Sequence, residues 1–314
     1  MALLSEKTIY NVAYNVLLAV GAPPEHADVV ANHLATANLT GHDSHGIMLI
    51  PYYVQEILAH RMDPRGEPEI VGDTISTASV NGNGTFGQIV AGFATNLAIR
   101  KAKSTGISIV TMSNLGHTGR NGAYPEMAAK EGMAAIMFTG LDSEETSIVA
   151  PFGGREGRLG TNPITMAFPY KENHPILSDF ATSMAAEGKI SVFRDKGKTL
   201  PGEWILNNQG KPSRNPTDLW DGGAILPMGG VEGGHKGYGL SFMVALIGGM
   251  LADASHKSSK PKLFDGGSTI IVISIESMAE KSVVNASVNE LVDYVKDTPL
   301  MENHSKVLLP GELE

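Results

Sequence analysis

No cysteine occurs among the 314 residues, which excludes a disulfide framework, a thiol nucleophile and a cysteine-ligated zinc site. Long hydrophobic runs are missing too. The longest nearly apolar stretch, "SFMVALIGGMLA", is too short to span a bilayer and reads as a buried helix. The first residues, "MALLSEKTIYNVAYNVLL", carry charge and polar groups too early for a signal-peptide core. There is no Lys/Arg-rich run, and the net charge of −9 disfavours nucleic acid or an anionic membrane as partner. Internal repeats and low-complexity segments are absent as well. The expectation is a cytoplasmic globular protein with neither membrane nor nucleic-acid partners, long enough to bury a sizeable core.

Glycine, by contrast, is plentiful at 36 residues, which implies many tight turns. The chain opens with helical patterns. "SEKTIYNVAYNVLLAVG" has apolar residues at helical spacing and stops at Gly21, Pro24 starts a second helix that ends at Gly41, and "IPYYVQEILAH" makes a third. From about residue 70 the pattern changes to short β-branched runs bounded by Gly, Asn and Pro. "TISTASVNG", "GISIVTMSN", "GMAAIMFTG", "NPITMAFP" and "PILSDFAT" read as strands, and helical segments separate the earlier ones. "WILNNQGKPSRNPTD" is a turn-rich excursion, 236–254 returns to helix, and 268–275 is another strand.

Gly82-Asn83-Gly84-Thr85-Phe86-Gly87 is a formal G-x-G-x-x-G between a strand and a helix. In so glycine-rich a chain, chance alone gives about 0.5 such matches. A dinucleotide loop of the Rossmann type also needs an acidic residue at the end of the next strand, to hold the ribose hydroxyls. Here that strand ends Met112-Ser113-Asn114. The glycines are therefore expected to shape a turn, and the function must lie elsewhere.

Three histidine-bearing loops are better candidates: "GHDSHG" with His42, Asp43, Ser44 and His45, "SNLGHTGRNGAY" with His117 and Arg120, and "VEGGHKGYGL" with His235 and Lys236. Each places polar groups at the end of a regular element, where catalytic side chains are usually held. Strand ends add Thr161, Asn162, Asp179, Thr182 and Ser183. Taken singly, any of these could be a helix cap or a solvated side chain. No metal site is expected, because His42, Asp43 and His45 lack a clear distant third ligand. A serine hydrolase using Ser44 would lack the G-x-S-x-G elbow, and its serine adjoins its would-be base. A non-catalytic small-molecule binding protein would leave the clustered His/Ser/Asp loops unexplained.

Five collinear segments carry a specific likeness: "ANLTGHDSHGIMLIPYYV", "SNLGHTGRNGAYPEMAAKEGM", "VAPFGGREGRLGTNPITMAFP", "LSDFATSMAAEGK" and "GGHKGYGLSFMVALIGGML". From residue 5 onward the sequence resembles the malate/L-lactate/L-sulfolactate dehydrogenase family, most of all its hydroxycarboxylate dehydrogenase B branch. The resemblance implies an α/β fold that is not Rossmann: a three-layer domain with a mixed seven-stranded sheet, and a helical part built from both chain ends. The corresponding division is a helical part, 1–70, packing with 225–314, and a cofactor-binding sheet domain, 71–224. It also implies a homodimer that moves a hydride between NAD or NADP and a small 2-hydroxy or 2-oxo acid.

By the same resemblance Ser44, His45, His117 and Asp179 are the catalytic group, with His45 or His117 handling the substrate proton. Thr161 and Asn162 line the pocket. Thr139, Asp179, Ala181, Thr182, Ser183, His235 and Lys236 belong to cofactor-contacting segments, the hydroxyls of Thr182 and Ser183 facing phosphate oxygens. Histidine suits the proton because its ordinary pKa, near 6.5, lies close to working pH. Many family members have an Arg three residues beyond Gly46 to clamp the substrate carboxylate, but here that residue is Leu49. Arg120 is the expected replacement, since its planar fork suits a carboxylate. Family chains usually continue past "LLPGELE", whereas this sequence stops at Glu314.

Overall fold

The structure, a computed structural model, describes residues 4–140, 147–171, 174–253 and 266–314. Three helices come first: α1 (Glu6–Ala19), α2 (Pro24–Leu39) and α3 (Ile50–Leu58). Ser5 caps α1 by accepting the amide of Thr8, and Pro24 occupies the first turn of α2, where a missing N–H costs nothing. Their apolar stripes meet in a core of their own around Leu17, Leu34, Tyr53 and Phe86.

A seven-stranded sheet follows, built from β1 (Glu69–Asp73), β2 (Thr77–Asn81), β3 (Ile107–Ser113), β4 (Met133–Gly140), β5 (Ile164–Lys171), β6 (His174–Phe180) and β10 (Gly267–Ser274). The order is β1-β2-β3-β10-β4-β5-β6, with β2 and β3 parallel and every other pair antiparallel. The sheet is therefore mixed. Helices α4 (Gly87–Thr105) and α5 (Ala123–Lys130) cover one face. The other face is covered by α7 (Gly230–Val244), continuing through a wider turn, Ala245–Met250, into α8 (Leu251–Asp253). These are the three layers. With helices on both faces the central strands must be apolar on both sides, and β10 is buried along nearly its whole length.

Beside the sheet lies a smaller unit in which α6 (Glu187–Asp195) packs on a three-stranded sheet of β8 (Pro212–Ser213), β7 (Ile205–Leu206) and β9 (Ala224–Ile225). The excursion around Asn208-Gln209-Gly210 is the turn between β7 and β8. Near the other end, α9 (Lys281–Lys296) is mostly exposed and buries only Val292. The chain ends meet where Leu309–Glu314 runs along β6: the amide of Leu177 donates to the carbonyl of Pro310 at 3.1 Å, and the Glu314 side chain reaches His42 at 3.3 Å. The central strand β10 comes from residues beyond the 71–224 segment, so that segment does not contain the whole sheet.

The first and last glycines of the G-x-G-x-x-G press against protein backbone. A Cβ on Gly82 would lie 2.6 Å from the carbonyl oxygen of Asn114, and one on Gly87 would lie 2.2 Å from that of Gly116. The amide of Gly116 donates to the carbonyl of Thr85 at 2.8 Å. The motif is a turn that lets the start of α4 press against the segment carrying His117.

Candidate active site

Two loops bring the histidines together. The first joins α2 to α3 as a tight turn, Asp43–His45, held from below by Asn38. The Asn38 amide donates to Asp43 at 2.6 Å, and its carbonyl oxygen accepts the amide of Ile47 at 2.8 Å. Gly46 is required there, since a Cβ would stand 2.2 Å from that same oxygen. The second loop, residues 114–122, follows β3. The amide of Arg120 donates to His33 Nε2 at 2.9 Å, and Thr118 Oγ1 donates to Asn121 Oδ1 at 2.7 Å. Asn121 in turn donates to Thr139 on β4 at 3.1 Å, and Thr139 meets Ser268 on β10 at 3.0 Å. The loop is thus pinned to the sheet's two central strands.

The rings of His45 and His117 stack with centroids 5.5 Å apart and planes 22° apart. Ser44 Oγ lies 2.9 Å from His45 Nδ1. His117 Nδ1 accepts the amide of Gly119 at 3.2 Å and lies 3.2 Å from the hydroxyl of Tyr53. Burial lowers the pKa of all three histidines in this cluster, because the charged form loses its water. For His117 the value falls to about 3, with His45 and His33 adding to the shift. His33 also falls to about 3, with Arg120 and His45 contributing. His45 is lowered as well, although Asp179 works against the shift.

Asp179 lies at the end of β6 and ties the second loop to the sheet edge. Its carboxylate accepts the amide of Gly122 at 2.6 Å and the hydroxyl of Thr165 at 2.9 Å. Two cavities meet at this place. The smaller, about 90 Å³, has His45, His117, Thr139, Gly140 and Ser268 on its wall. The larger, about 500 Å³, has Ser44, His45, Arg120, Asp179, Ala181 and Ser183. His45, Gly119, Asn121, Thr161 and Pro163 belong to both walls.

The other expected site residues divide. Thr161 is on both walls, but Asn162 beside it is fully buried and donates to the backbone and hydroxyl of Ser241 on α7 at 3.1 Å. Thr182 and Ser183 are tied to backbone. The Thr182 hydroxyl donates to the carbonyl of Asn162 at 2.9 Å, and that of Ser183 to the carbonyl of Ala185 at 2.8 Å. Their protons satisfy backbone carbonyls. His235 and Lys236 are exposed on α7, outside both cavity walls, with the His235 ring edge-on to Phe152 at 5.6 Å. Arg120 lines the larger cavity and is only 4 % exposed, but its guanidinium is already engaged. It donates to Glu314 at 2.7 Å and to Glu126 at 2.8 Å.

Several residues that build the site are not singled out in the sequence. His33 and Gln88 stand outside the five family-like segments, and Asn38, Tyr53 and Asn121 lie inside them at what look like ordinary helix and loop positions. The one available signal is Gln88, a polar residue in the otherwise apolar first turns of α4, which in the structure is 2 % exposed.

Paired histidines, a serine and a carboxylate thus stand at the meeting of two cavities on a mixed α/β fold that is not Rossmann. A sequence model described as malate/L-lactate dehydrogenase matches residues 4–314, and the chain belongs to that family. It is 35 % identical to a malate dehydrogenase of Pyrococcus horikoshii, over 97 % of this chain and 85 % of that one. It is 34 % identical to hydroxycarboxylate dehydrogenase B of Escherichia coli K12, over 98 % and 85 %. The crystal structure of malate dehydrogenase from Entamoeba histolytica superposes with a TM-score of 0.90 at 31 % identity, covering 99 % of this chain and 89 % of that one. The protein is a hydroxy-acid oxidoreductase of an NAD(P)-dependent family, and none of these relatives supports a serine hydrolase. No described helix is long and apolar enough to cross a membrane.

Proposed function

We propose that the protein is a cytoplasmic homodimer that interconverts a small 2-hydroxy acid and its 2-oxo acid with NAD or NADP, at the junction of the two cavities. The observation that carries this is the stacked pair His45 and His117, with Ser44 against one ring and Asp179 close enough to act on its pKa. A hydroxyl proton and a hydride leave neighbouring atoms in this reaction, so the site needs a proton carrier beside a dry, shaped slot. The residues present fit a nicotinamide: beside His45 and His117 the small cavity is walled by glycines, threonines, a serine and an asparagine, which leave room for a flat ring and offer hydrogen-bonding groups to its carboxamide.

The bound nicotinamide supplies the hydride chemistry. Ser44 sets the imidazole of His45, and Asp179 fixes the His117 loop through Gly122. Thr139, Thr161 and Ala181 shape the walls, and the cofactor is held by the 71–224 segment completed by β10. Segment 181–183 adjoins the start of α7, the Met228 amide donating to the Thr182 carbonyl at 2.9 Å, and this supports a role for exposed His235 and Lys236 at the cofactor's phosphate-bearing end. Exposed Phe242, Met243, Leu246, Met250 and Leu251 on one helical segment support the homodimer, since an apolar surface of this kind marks an interface.

The test is a panel of 2-oxo acids assayed with NADH and with NADPH, alongside simple esters. Turnover of malate-, lactate- or sulfolactate-type oxo acids with one or both cofactors is expected. Ester hydrolysis without nicotinamide, and no oxo-acid reduction with it, would end this reading.

A further inference from the structure

We propose that Tyr53 and Gln88 are positioning residues that hold His117 as a neutral imidazole with its proton on Nε2, so that His117 serves as an N–H donor and His45 alone carries the reaction's proton. This rests on the dehydrogenase reading above and decides which histidine does what within it.

The backbone amide of Gly119 has only a proton to offer, and it points at His117 Nδ1 from 3.2 Å. That nitrogen must therefore present its lone pair. A second donor faces it. The Gln88 side-chain amide donates to the Tyr53 hydroxyl at 2.7 Å, which leaves the hydroxyl proton for His117 Nδ1, 3.2 Å away. Tyr53 and Gln88 are both essentially buried, so water cannot replace either partner. Protonating Nδ1 would set it against the Gly119 amide, one N–H facing another, and break that hydrogen bond. In the neutral ring the proton is then on Nε2, since only one ring nitrogen accepts.

The charges around the ring act in the same direction. His45 stacks against it and His33 approaches from α2, and either ring in its charged form would repel a charged His117. Tyr53 is held in its neutral form by burial. No carboxylate figures among the groups that shift His117.

His45 is built differently. Its Nδ1 meets a hydroxyl, and Ser44 Oγ can accept or donate by rotating its proton, so both protonation states of His45 keep this hydrogen bond. Asp179 favours the charged ring, while His42 and Arg120 oppose it and His117 contributes no charge. His45 can thus change state within one geometry, and His117 cannot.

The step balances with one proton carrier. In oxidation, the C–H electron pair at the substrate's C2 leaves as hydride to the oxidised nicotinamide. The C2–O bond becomes a carbonyl, and the hydroxyl proton passes to neutral His45. In reduction, the same His45 proton returns to the oxygen as hydride arrives at C2. His117 keeps its proton throughout and steadies the developing negative charge on that oxygen.

Two measurements decide this. The first needs no activity: ¹⁵N NMR of the histidine rings in the wild-type protein across pH 5–9. His117 is expected as the Nε2–H tautomer with no titration in that range, and Tyr53→Phe should shift its Nδ1 resonance while the other histidines stay put. A Nδ1–H tautomer, or a His117 that titrates near pH 6–7, overturns the proposal even if the protein is a dehydrogenase. The second is the pH profile of kcat/KM. His45→Asn should cut turnover about 10²–10⁴-fold and abolish the acid-side ionisation of that profile. His117→Gln, which keeps an N–H donor, should lower turnover less and retain that ionisation. The reverse pattern refutes the assignment. Absence of oxo-acid turnover in the wild type would instead remove the dehydrogenase reading and leave the NMR result standing.

Discussion

Lowering the pH from 7 to 5 should destabilise this protein through histidines that fold uncharged, and His33 is the cleanest place to show it. His33 sits on α2 with Nε2 accepting the Arg120 amide, and its ring stacks on Tyr124 at 5.8 Å. Its pKa drops from 6.5 to about 3, chiefly by burial, with Arg120 and then His45 adding to the drop. His117 behaves alike, again at about 3. The unfolded chain takes up protons on both rings as pH falls through 6.5, while the folded protein does not until about pH 3. Between those limits the unfolded state binds more protons, so stability must decrease as pH falls. At pH 5 each ring has 1.5 pH units of this imbalance, or roughly 2 kcal/mol at 1.36 kcal/mol per unit. Together they give roughly 4 kcal/mol as an upper figure, a large part of an ordinary domain's stability. Carboxylates add little in this window, since they titrate nearer pH 4. The assay is urea unfolding at fixed protein concentration at pH 7, 6 and 5. Glutamine at position 33 can offer its oxygen to the Arg120 amide, and it does not titrate. His33→Gln should therefore weaken the pH dependence by up to roughly 2 kcal/mol between pH 7 and 5. Parallel stability curves for wild type and His33→Gln would show that the ring is not buried uncharged.

Two further outcomes are expected. Gly84→Ala, at φ 75°, should cost about 1 kcal/mol of stability, and Gly87→Ala should cost more because its Cβ collides with backbone. Nicotinamide affinity by fluorescence titration should survive in the folded Gly84→Ala protein and weaken in Lys236→Ala, and the opposite result would restore the glycine loop as a cofactor site. Arg120→Met should raise KM for a 2-oxo acid more than for its uncharged amide if Arg120 receives the substrate carboxylate. An equal penalty for acid and amide in steady-state kinetics would make Arg120 a structural cation.

Strands were legible where their pattern is local. Six of the seven in the large sheet are alternating or β-branched runs between turn residues, from "TISTASVNG" to the run at 268–275. Ile70 and Val71 of β1 are largely exposed, and that edge strand has no apolar face to announce it. The two-residue strands β7, β8 and β9 are shorter than any periodicity. Strand order is another matter. β10 pairs in register with both β3 and β4, which are over 120 residues earlier in the chain. Nothing local in "GSTIIVIS" names those neighbours; burial on both faces says only that it is central. The site shows the same division. His45, His117 and Asp179 stand in recognisable motifs, but their setting depends on Tyr53, Gln88 and His33, whose partners are 64, 35 and 87 positions away. Nor could the sequence show that the Thr182 and Ser183 hydroxyls bond the carbonyls of Asn162 and Ala185, because only the fold brings those partners near.

Arg120 shows how a residue can sit in the right place and still be spoken for. Leu49 offers no charge to a substrate carboxylate, and Arg120 lies on the wall of the larger cavity as a clamp should. Yet its two terminal nitrogens already reach Glu314 and Glu126. Glu126 also meets Lys130 at 2.9 Å, and its carboxyl is held below the usual range, burial opposing and Lys130 with Arg120 favouring the charge. That pair is therefore the firmer one. Glu314 is shared with His42 at 3.3 Å and comes from a separate segment laid along β6. A carboxylate entering the cavity competes with Glu314 for one nitrogen while Glu126 keeps the other in place. Exchange of one carboxylate for another leaves the charge count around Arg120 unchanged, so it avoids the cost of burying an unpaired charge in either state. The guanidinium can then receive a substrate without ever standing bare, at the expense of affinity lost to the resident glutamate.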